Sequence, residues 1–188
     1  DVSYTAGDAS LTGYFAKAES SKGLVVIVHD WDGIDDYEKG RADMLAEMGY
    51  DAFAIDMFGD TPVGTMQERQ AATGALYGDR EKMQGLIEAG LAAAREQSSA
   101  GDVVIMGYCF GGAVTLEAAR NGLAENAAGY ATFHGGLSTP EGQSWPSDVA
   151  PILIMHGGAD TSVTMADFAA LTEELEQAGA TYTAEVYS

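Results

Sequence analysis

The chain has 188 residues, of which 46% are hydrophobic and 20% are charged. That length fits one domain with its own core, and the composition excludes a disordered chain. Nine Lys and Arg stand against 29 Asp and Glu, which gives a formal net charge of −20. We therefore expect neither a nucleic acid nor a membrane surface as a partner, because both are anionic.

The single cysteine, Cys109, excludes a disulfide within the chain. This fits a reducing compartment, so we expect a cytoplasmic protein. A periplasmic or secreted location stays open because the sequence starts at Asp1 rather than at Met. No apolar run reaches the ~20 residues that span a bilayer. Monomer and homodimer both remain open.

Short apolar runs alternate with longer helical stretches along the chain. In chain order, strands are predicted over Leu11–Ala18, Leu24–Val28, Asp51–Asp56, Val103–Met106, Ala128–Phe133, Ile152–Met155 and Thr181–Tyr187. Helices are predicted over Tyr37–Met48, within Thr65–Ser98 with an interruption near Gly78, over Phe110–Arg120 and over Met165–Ala178. This alternation favours an α/β fold, with a mostly parallel sheet wrapped on both faces by helices. Functional residues then collect at the carboxyl ends of the strands.

The segment Gly107–Gly112 reads GYCFGG and lies between a predicted buried strand and a helix. This is the Gly-x-nucleophile-x-Gly turn of α/β-hydrolases, with Cys in place of Ser. The turn leaves Cys109 over a helix N-terminus, which favours the thiolate, so we predict a nucleophile with a lowered pKa. The backbone N–H of Phe110 is predicted to face the developing oxyanion. The alternative is a buried structural cysteine.

The chain resembles the dienelactone hydrolase (carboxymethylenebutenolidase) family in five segments that occur in this order: VVIVHDWDGI, RADMLAEMGYDAFAIDMFGD, IMGYCFGG, ATFHGGL and ILIMHGGAD. The resemblance implies one α/β-hydrolase domain over residues 1–188, and hydrolysis of a small-molecule ester or lactone without a cofactor. It also implies a Cys-Asp-His triad in which Cys109 and Asp160 are the first two members. A helix N-cap or turn role is the alternative for Asp160.

Further site residues follow from the same resemblance. In the family a carboxylate at the position of Asp30, usually Glu, contacts the nucleophilic cysteine. The alternative is that Asp30 is an ordinary loop carboxylate. The backbone N–H of Trp31 matches the second oxyanion donor. Arg69 and Arg80 are candidates for binding a substrate carboxylate, and Tyr108 is a candidate for lining the pocket. Surface solvation and core packing are the alternatives for these three side chains.

Three histidines, His29, His134 and His156, each follow a predicted strand. We expect no metal site, because their spacing is not that of metal ligands and no cysteine cluster accompanies them. His156 is a poor candidate for the triad base, because it lies only four residues before Asp160. In the family the base lies on a loop after the last strand, and a helix follows. We therefore predict that the domain is truncated, and that the natural protein continues beyond Ser188 with a His-bearing loop and a helix.

Two other functions remain open. A Cys amidotransferase-like or deglycase-like enzyme also places Gly-x-Cys-x-Gly between a strand and a helix, although glutaminases of that kind need a later His-x-Glu that this chain lacks. A catalytically inactive α/β-hydrolase fold used for binding would differ in an esterase assay. A dinucleotide-binding module is disfavoured, because GYCFGG does not match Gly-x-Gly-x-x-Gly.

Overall fold

A computed structural model describes residues 1–188, and eight strands in one sheet form its centre. In chain order the strands are β1 (Val2–Ala6), β2 (Ala9–Ala16), β3 (Leu24–Val28), β4 (Asp51–Ile55), β5 (Val103–Tyr108), β6 (Ala127–Phe133), β7 (Ile152–Gly157) and β8 (Tyr182–Tyr187). The helices are α1 (Asp36–Glu47), α2 (Met66–Gly78), α3 (Arg80–Gln97), α4 (Phe110–Asn121) and α5 (Met165–Ala178).

The strand order across the sheet is β1-β2-β4-β3-β5-β6-β7-β8. β1 and β2 pair antiparallel with their neighbours, and every pair from β4–β3 to β7–β8 is parallel. The predicted mostly parallel sheet is therefore confirmed, and its antiparallel part is the β1–β2 edge. The carboxyl ends of β3, β5, β6 and β7 consequently lie side by side along one edge of the sheet.

β1 is not among the predicted strands. The predicted strand over Leu11–Ala18 is in fact the second arm of a hairpin, β2, whose partner β1 pairs Ala6 with Ala9 across a two-residue turn. Gly7 takes a φ of +56° in that turn, as two-residue hairpin turns require. A short edge strand with an alternating burial pattern lacks the continuous apolar run that marks the inner strands.

Most of the hydrophobic core lies on one face of the sheet, between the strands and the helices α3, α4 and α5. The inner strands β3 and β4 are buried along their whole length, which explains their unbroken apolar sequences. On the other face α1 packs over a smaller cluster that includes Ile27, Ala42 and Tyr108. None of the helices combines the length and the apolarity needed to cross a bilayer.

Candidate active site

Cys109 occupies the sharp turn between β5 and α4. Its φ of +52° and ψ of −114° are a conformation that non-glycine residues rarely adopt. The turn is held because the Cys109 N–H donates to the Phe133 carbonyl at 3.0 Å, while the Cys109 carbonyl accepts the N–H of Gly112 at 3.1 Å. Backbone strain of this kind is common at functional sites, and it projects the thiol from the end of β5.

Two glycines around Cys109 are required by close packing. A side chain at Gly107 would collide with the backbone of Gly111, and one at Gly111 would collide with the carbonyls of Val28 and His29. The first turn of α4 therefore lies directly against the end of β3. This contact brings the loop after β3, which begins at His29, beside the nucleophile turn.

The ionisation of the Cys109 thiol differs from the sequence-based expectation. Burial raises the pKa of Cys109, and the carboxylates of Asp30, Asp160 and Asp32 raise it further. A hydrogen bond from the Phe110 backbone N–H lowers the pKa but does not outweigh burial. The prediction of a lowered pKa is therefore wrong for these 188 residues, because desolvation of the thiolate exceeds the effect of the helix N-terminus.

Asp160 lies in the loop that follows β7. Its Oδ1 atom accepts the backbone N–H groups of Ser162 at 2.8 Å and Val163 at 3.0 Å, and these bonds lower the pKa of the carboxyl. Asp160 is not a helix N-cap, because Thr164 caps α5. Its two hydrogen bonds to backbone N–H groups instead stabilise a turn, as the second structural role considered for it requires. The turn also suits a catalytic acid, because it fixes an ionised carboxylate near Cys109.

The loop after β3 is anchored at His29, which is fully buried. Its Nδ1 lies 2.6 Å from the Asp30 carbonyl, and its Nε2 accepts the Met57 N–H at 3.1 Å. Burial lowers the pKa of His29, so the ring is neutral and donates from Nδ1. This histidine therefore joins the loop to the segment after β4.

Asp30 and Asp32 interact within that loop. The Asp32 N–H donates to Asp30 Oδ1 at 3.0 Å, and the nearby Asp30 carboxyl, together with partial burial, raises the pKa of Asp32. Arg69 acts in the opposite direction, because its Nη1 lies 3.2 Å from Asp32 Oδ2. Asp30 is among the predicted site residues, whereas Asp32 is not, because its partner Arg69 lies 37 positions away on α2.

The three candidate substrate-binding residues fall in different places. Arg69 faces the loop after β3, and its Nε donates to the carbonyl of Val63, which lies between β4 and α2, at 2.8 Å. Arg80 lies over the ring of Tyr77 at 5.1 Å. Tyr108 packs on the α1 face of the sheet against the rings of Tyr37 and Phe133. These contacts account for Tyr108 as a core aromatic, and a substrate role for it stays a prediction.

Arg80 lines a cavity of about 320 Å³ beside the nucleophile helix. Its walls include Tyr77, Arg80, Arg120, Ser138, Ser162 and Asp167. Behind it the fully buried carboxylate of Glu117 accepts hydrogen bonds from Gln84 at 2.7 Å and Gln143 at 2.6 Å. The same carboxylate pairs with Arg80 at 3.4 Å and with Arg120 at 3.5 Å. This cluster was not predicted, although a Glu and an Arg three positions apart on an apolar helix are a visible signal in the sequence.

None of the three histidines joins Cys109 to Asp160. The ring nitrogens of His156 have no hydrogen-bond partner, and its ring stacks on Phe168 at 5.6 Å. His134 is exposed and makes no side-chain hydrogen bond to Cys109 or to Asp160. No group of three or more His, Cys, Asp or Glu side chains is arranged to hold a metal ion.

Comparison with known proteins agrees with this geometry. The dienelactone hydrolase family model matches residues 11–188. Carboxymethylenebutenolidase of Pseudomonas putida is 30% identical over 172 residues, which cover 87% of this chain and 71% of that protein. A dienelactone-hydrolase-like promiscuous phosphotriesterase from metagenomic libraries is 30% identical, with a TM-score of 0.90 over 99% of this chain and 79% of that one.

More distant structures share the fold alone. The acylaminoacyl peptidase of Pyrococcus horikoshii is 16% identical, with a TM-score of 0.75 over all of this chain and 36% of that one. Sheet order, helix placement and the turn at Cys109 define the class, which is the α/β-hydrolases. Within that class the chain belongs to the dienelactone hydrolase family, and it is a hydrolase of that type.

Proposed function

We propose that this protein cleaves an ester or lactone of a small carboxylic acid, with Cys109 as the nucleophile. The observation that carries the proposal is the strained turn at Cys109, with the thiol beside the Phe110 N–H and within the field of Asp160. A structural cysteine does not require a positive φ between a strand and a helix.

The proposed reaction has two steps. The Cys109 sulfur, as thiolate, forms a bond to the substrate carbonyl carbon, and the carbon–oxygen bond to the alcohol breaks to give a thioester. The departing alkoxide takes the proton that the base removed from the thiol. Water then attacks the thioester, its proton passes through the base to the sulfur, and the acid is released. Asp160 orients the base and stabilises its charged form.

The proposed base is a histidine that bridges Cys109 and Asp160, and none of His29, His134 and His156 makes a hydrogen bond to either of these residues. Two backbone N–H groups, those of Phe110 and Trp31, are proposed to hold the oxyanion in both steps. The contact between Gly111 and the end of β3 supports this pairing, because it brings the loop that carries Trp31 beside Phe110. Asp30 is proposed to influence the ionisation of Cys109, on which its carboxylate already acts.

The cavity beside α4 supports a substrate that carries a carboxylate. Arg80 lines it with its guanidinium partly exposed, and Arg120 adds a second cationic side chain. The buried Nη1 group of Arg120 has no hydrogen-bond partner. The carboxylates of Glu117 and Asp167 balance the two guanidinium charges, so a small carboxylate would be held by the N–H groups of Arg80 and Arg120 rather than by a net positive charge.

An activity panel tests the proposal. It contains a dienelactone, aryl esters with and without a carboxylate, a thioester, an aryl phosphotriester and glutamine, each assayed with the wild type and with Cys109→Ala. Added imidazole can accept the thiol proton as a histidine side chain would, so we expect it to raise ester hydrolysis by the wild type but not by the variant. Ester hydrolysis that survives Cys109→Ala would contradict the proposal. Ammonia release from glutamine would favour the amidotransferase alternative instead.

A further inference from the structure

The Arg69 guanidinium makes three contacts with the edge of the site. Arg69 lies in the first turn of α2, and its Nη1 is 3.2 Å from Asp32 Oδ2. Its Nε donates to the Val63 carbonyl at 2.8 Å, and its guanidinium carbon lies 5.9 Å from the centre of the Trp31 ring. The Arg69 and Asp32 side chains are only 30% and 28% exposed, so the pair is shielded more than a surface ion pair.

These contacts converge on the segment that carries the Trp31 N–H. Trp31 lies between Asp30 and Asp32, which are joined by the hydrogen bond from the Asp32 N–H to Asp30 Oδ1. The next residue, Gly33, is buried and takes a φ of +91°. The nearest atom to a side chain placed there would be the Val63 side chain at 3.8 Å. Arg69 and Val63 therefore hold the loop from outside, while His29 anchors its start.

The same contacts disfavour Arg69 as a ligand for a substrate carboxylate. A carboxylate binds a guanidinium through two neighbouring N–H groups, either on the Nε edge or on the edge between the two terminal nitrogens. Here Nε is engaged by Val63 and Nη1 by Asp32, so each edge has one group in use. A substrate carboxylate would also face the Asp32 carboxylate.

We infer that Arg69 is a positioning residue, which acts through Asp32 to hold the Trp31 N–H where the oxyanion forms. The inference rests on the proposed function and assigns Arg69 a role different from substrate binding. Loss of an oxyanion donor slows reactions by about 10²–10³-fold. A displaced donor retains part of its effect. We therefore expect loss of the Arg69–Asp32 ion pair, which clamps this loop, to slow acylation by about tenfold or more.

The test measures acylation of Cys109 in single turnover, followed by mass spectrometry, with a neutral aryl ester and a carboxylate-bearing aryl ester. Imidazole is present as the base throughout. The variants are Arg69→Gln, Arg69→Lys, Asp32→Asn and the double variant of Arg69→Gln and Asp32→Asn. Arg41→Gln is the matched control, because Arg41 lies on α1 over the ring of Tyr37 at 4.8 Å.

We expect Arg69→Gln and Asp32→Asn to lower the acylation rate constant equally for both esters, with little change in apparent affinity. The rate constants are taken from the plateau of the pH profile, because Asp32→Asn also removes a carboxylate that raises the pKa of Cys109. The double variant should be no slower than the slower single one, because both substitutions break one clamp. Arg69→Lys should restore part of the rate, and melting temperatures exclude a loss of fold. A weaker affinity for the carboxylate ester alone, or an unchanged rate constant, would overturn the inference. An unacylated wild type would overturn it together with the proposed function, whereas wild-type acylation with unaffected variants would overturn the inference alone.

Discussion

At the scale of single residues, two opposing influences act on the ionisation of the Cys109 thiol. The Phe110 N–H favours the thiolate, whereas burial and three nearby carboxylates disfavour it. The sequence reveals the first influence, because a nucleophile turn that opens a helix is visible in GYCFGG. It does not reveal the second, because desolvation depends on packing and Asp160 lies 51 positions further along the chain. The predicted sign of the pKa shift was wrong for this reason.

The first prediction concerns the reactivity of this thiol. Iodoacetamide labelling of Cys109 should rise with pH to a midpoint above the value of about 8.5 that an ordinary cysteine shows. Asp30→Asn should lower the midpoint, since it removes a carboxylate that opposes the thiolate. Asp148→Asn, a change at an exposed aspartate, is the control and should leave the midpoint unchanged. A wild-type midpoint below that of free cysteine would contradict this description of the site.

At the scale of elements, the sequence predicts the framework of the site well. The apolar strands β3 and β5, the helix break near Gly78 and the helix predicted over Tyr37–Met48, found over Asp36–Glu47, are all confirmed, since each depends on local chemistry. Contacts between distant segments were missed. Examples are the Arg69 clamp on the loop after β3 and the charged cluster that joins α3 to α4.

The second prediction concerns that cluster on α4. Glu117→Ala should lower the free energy of unfolding by about 3–5 kcal/mol, because it leaves Arg120 buried without its anionic partner. Glu117→Gln should cost less, since an amide oxygen can still accept hydrogen bonds. Urea unfolding at neutral pH measures both, with Glu88→Ala on the exposed side of α3 as the control. Equal effects of Glu117→Ala and Glu88→Ala would show that the cluster is not stabilising.

At the scale of the whole molecule, the charge is strongly one-sided. There are 29 acidic residues, yet only Asp1, Asp32 and Glu117 pair with a Lys or Arg side chain. Most carboxylates therefore repel one another without a compensating cation, and this repulsion is stronger in the compact state than in the unfolded chain. Salt shortens the range of such repulsion.

The third prediction follows from this repulsion. The melting temperature should rise as sodium chloride increases from about 0.01 M to about 0.5 M, because screening relieves repulsion in the folded state. Sucrose at matched osmolality is the control, since it stabilises proteins without screening charge. A melting temperature that is flat or falls with sodium chloride would mean that the acidic surface does not limit stability.

The central claim, that Cys109 forms a covalent bond with the substrate, is tested most directly by trapping the thioester. The protein is incubated with an aryl ester and imidazole, quenched in acid and analysed by mass spectrometry of the peptide that contains Cys109. We expect the mass of the acyl group on that peptide, its removal by neutral hydroxylamine, and no adduct in Cys109→Ala. Ester hydrolysis at an equal rate in Cys109→Ala, or an acyl group on another residue, would contradict the claim.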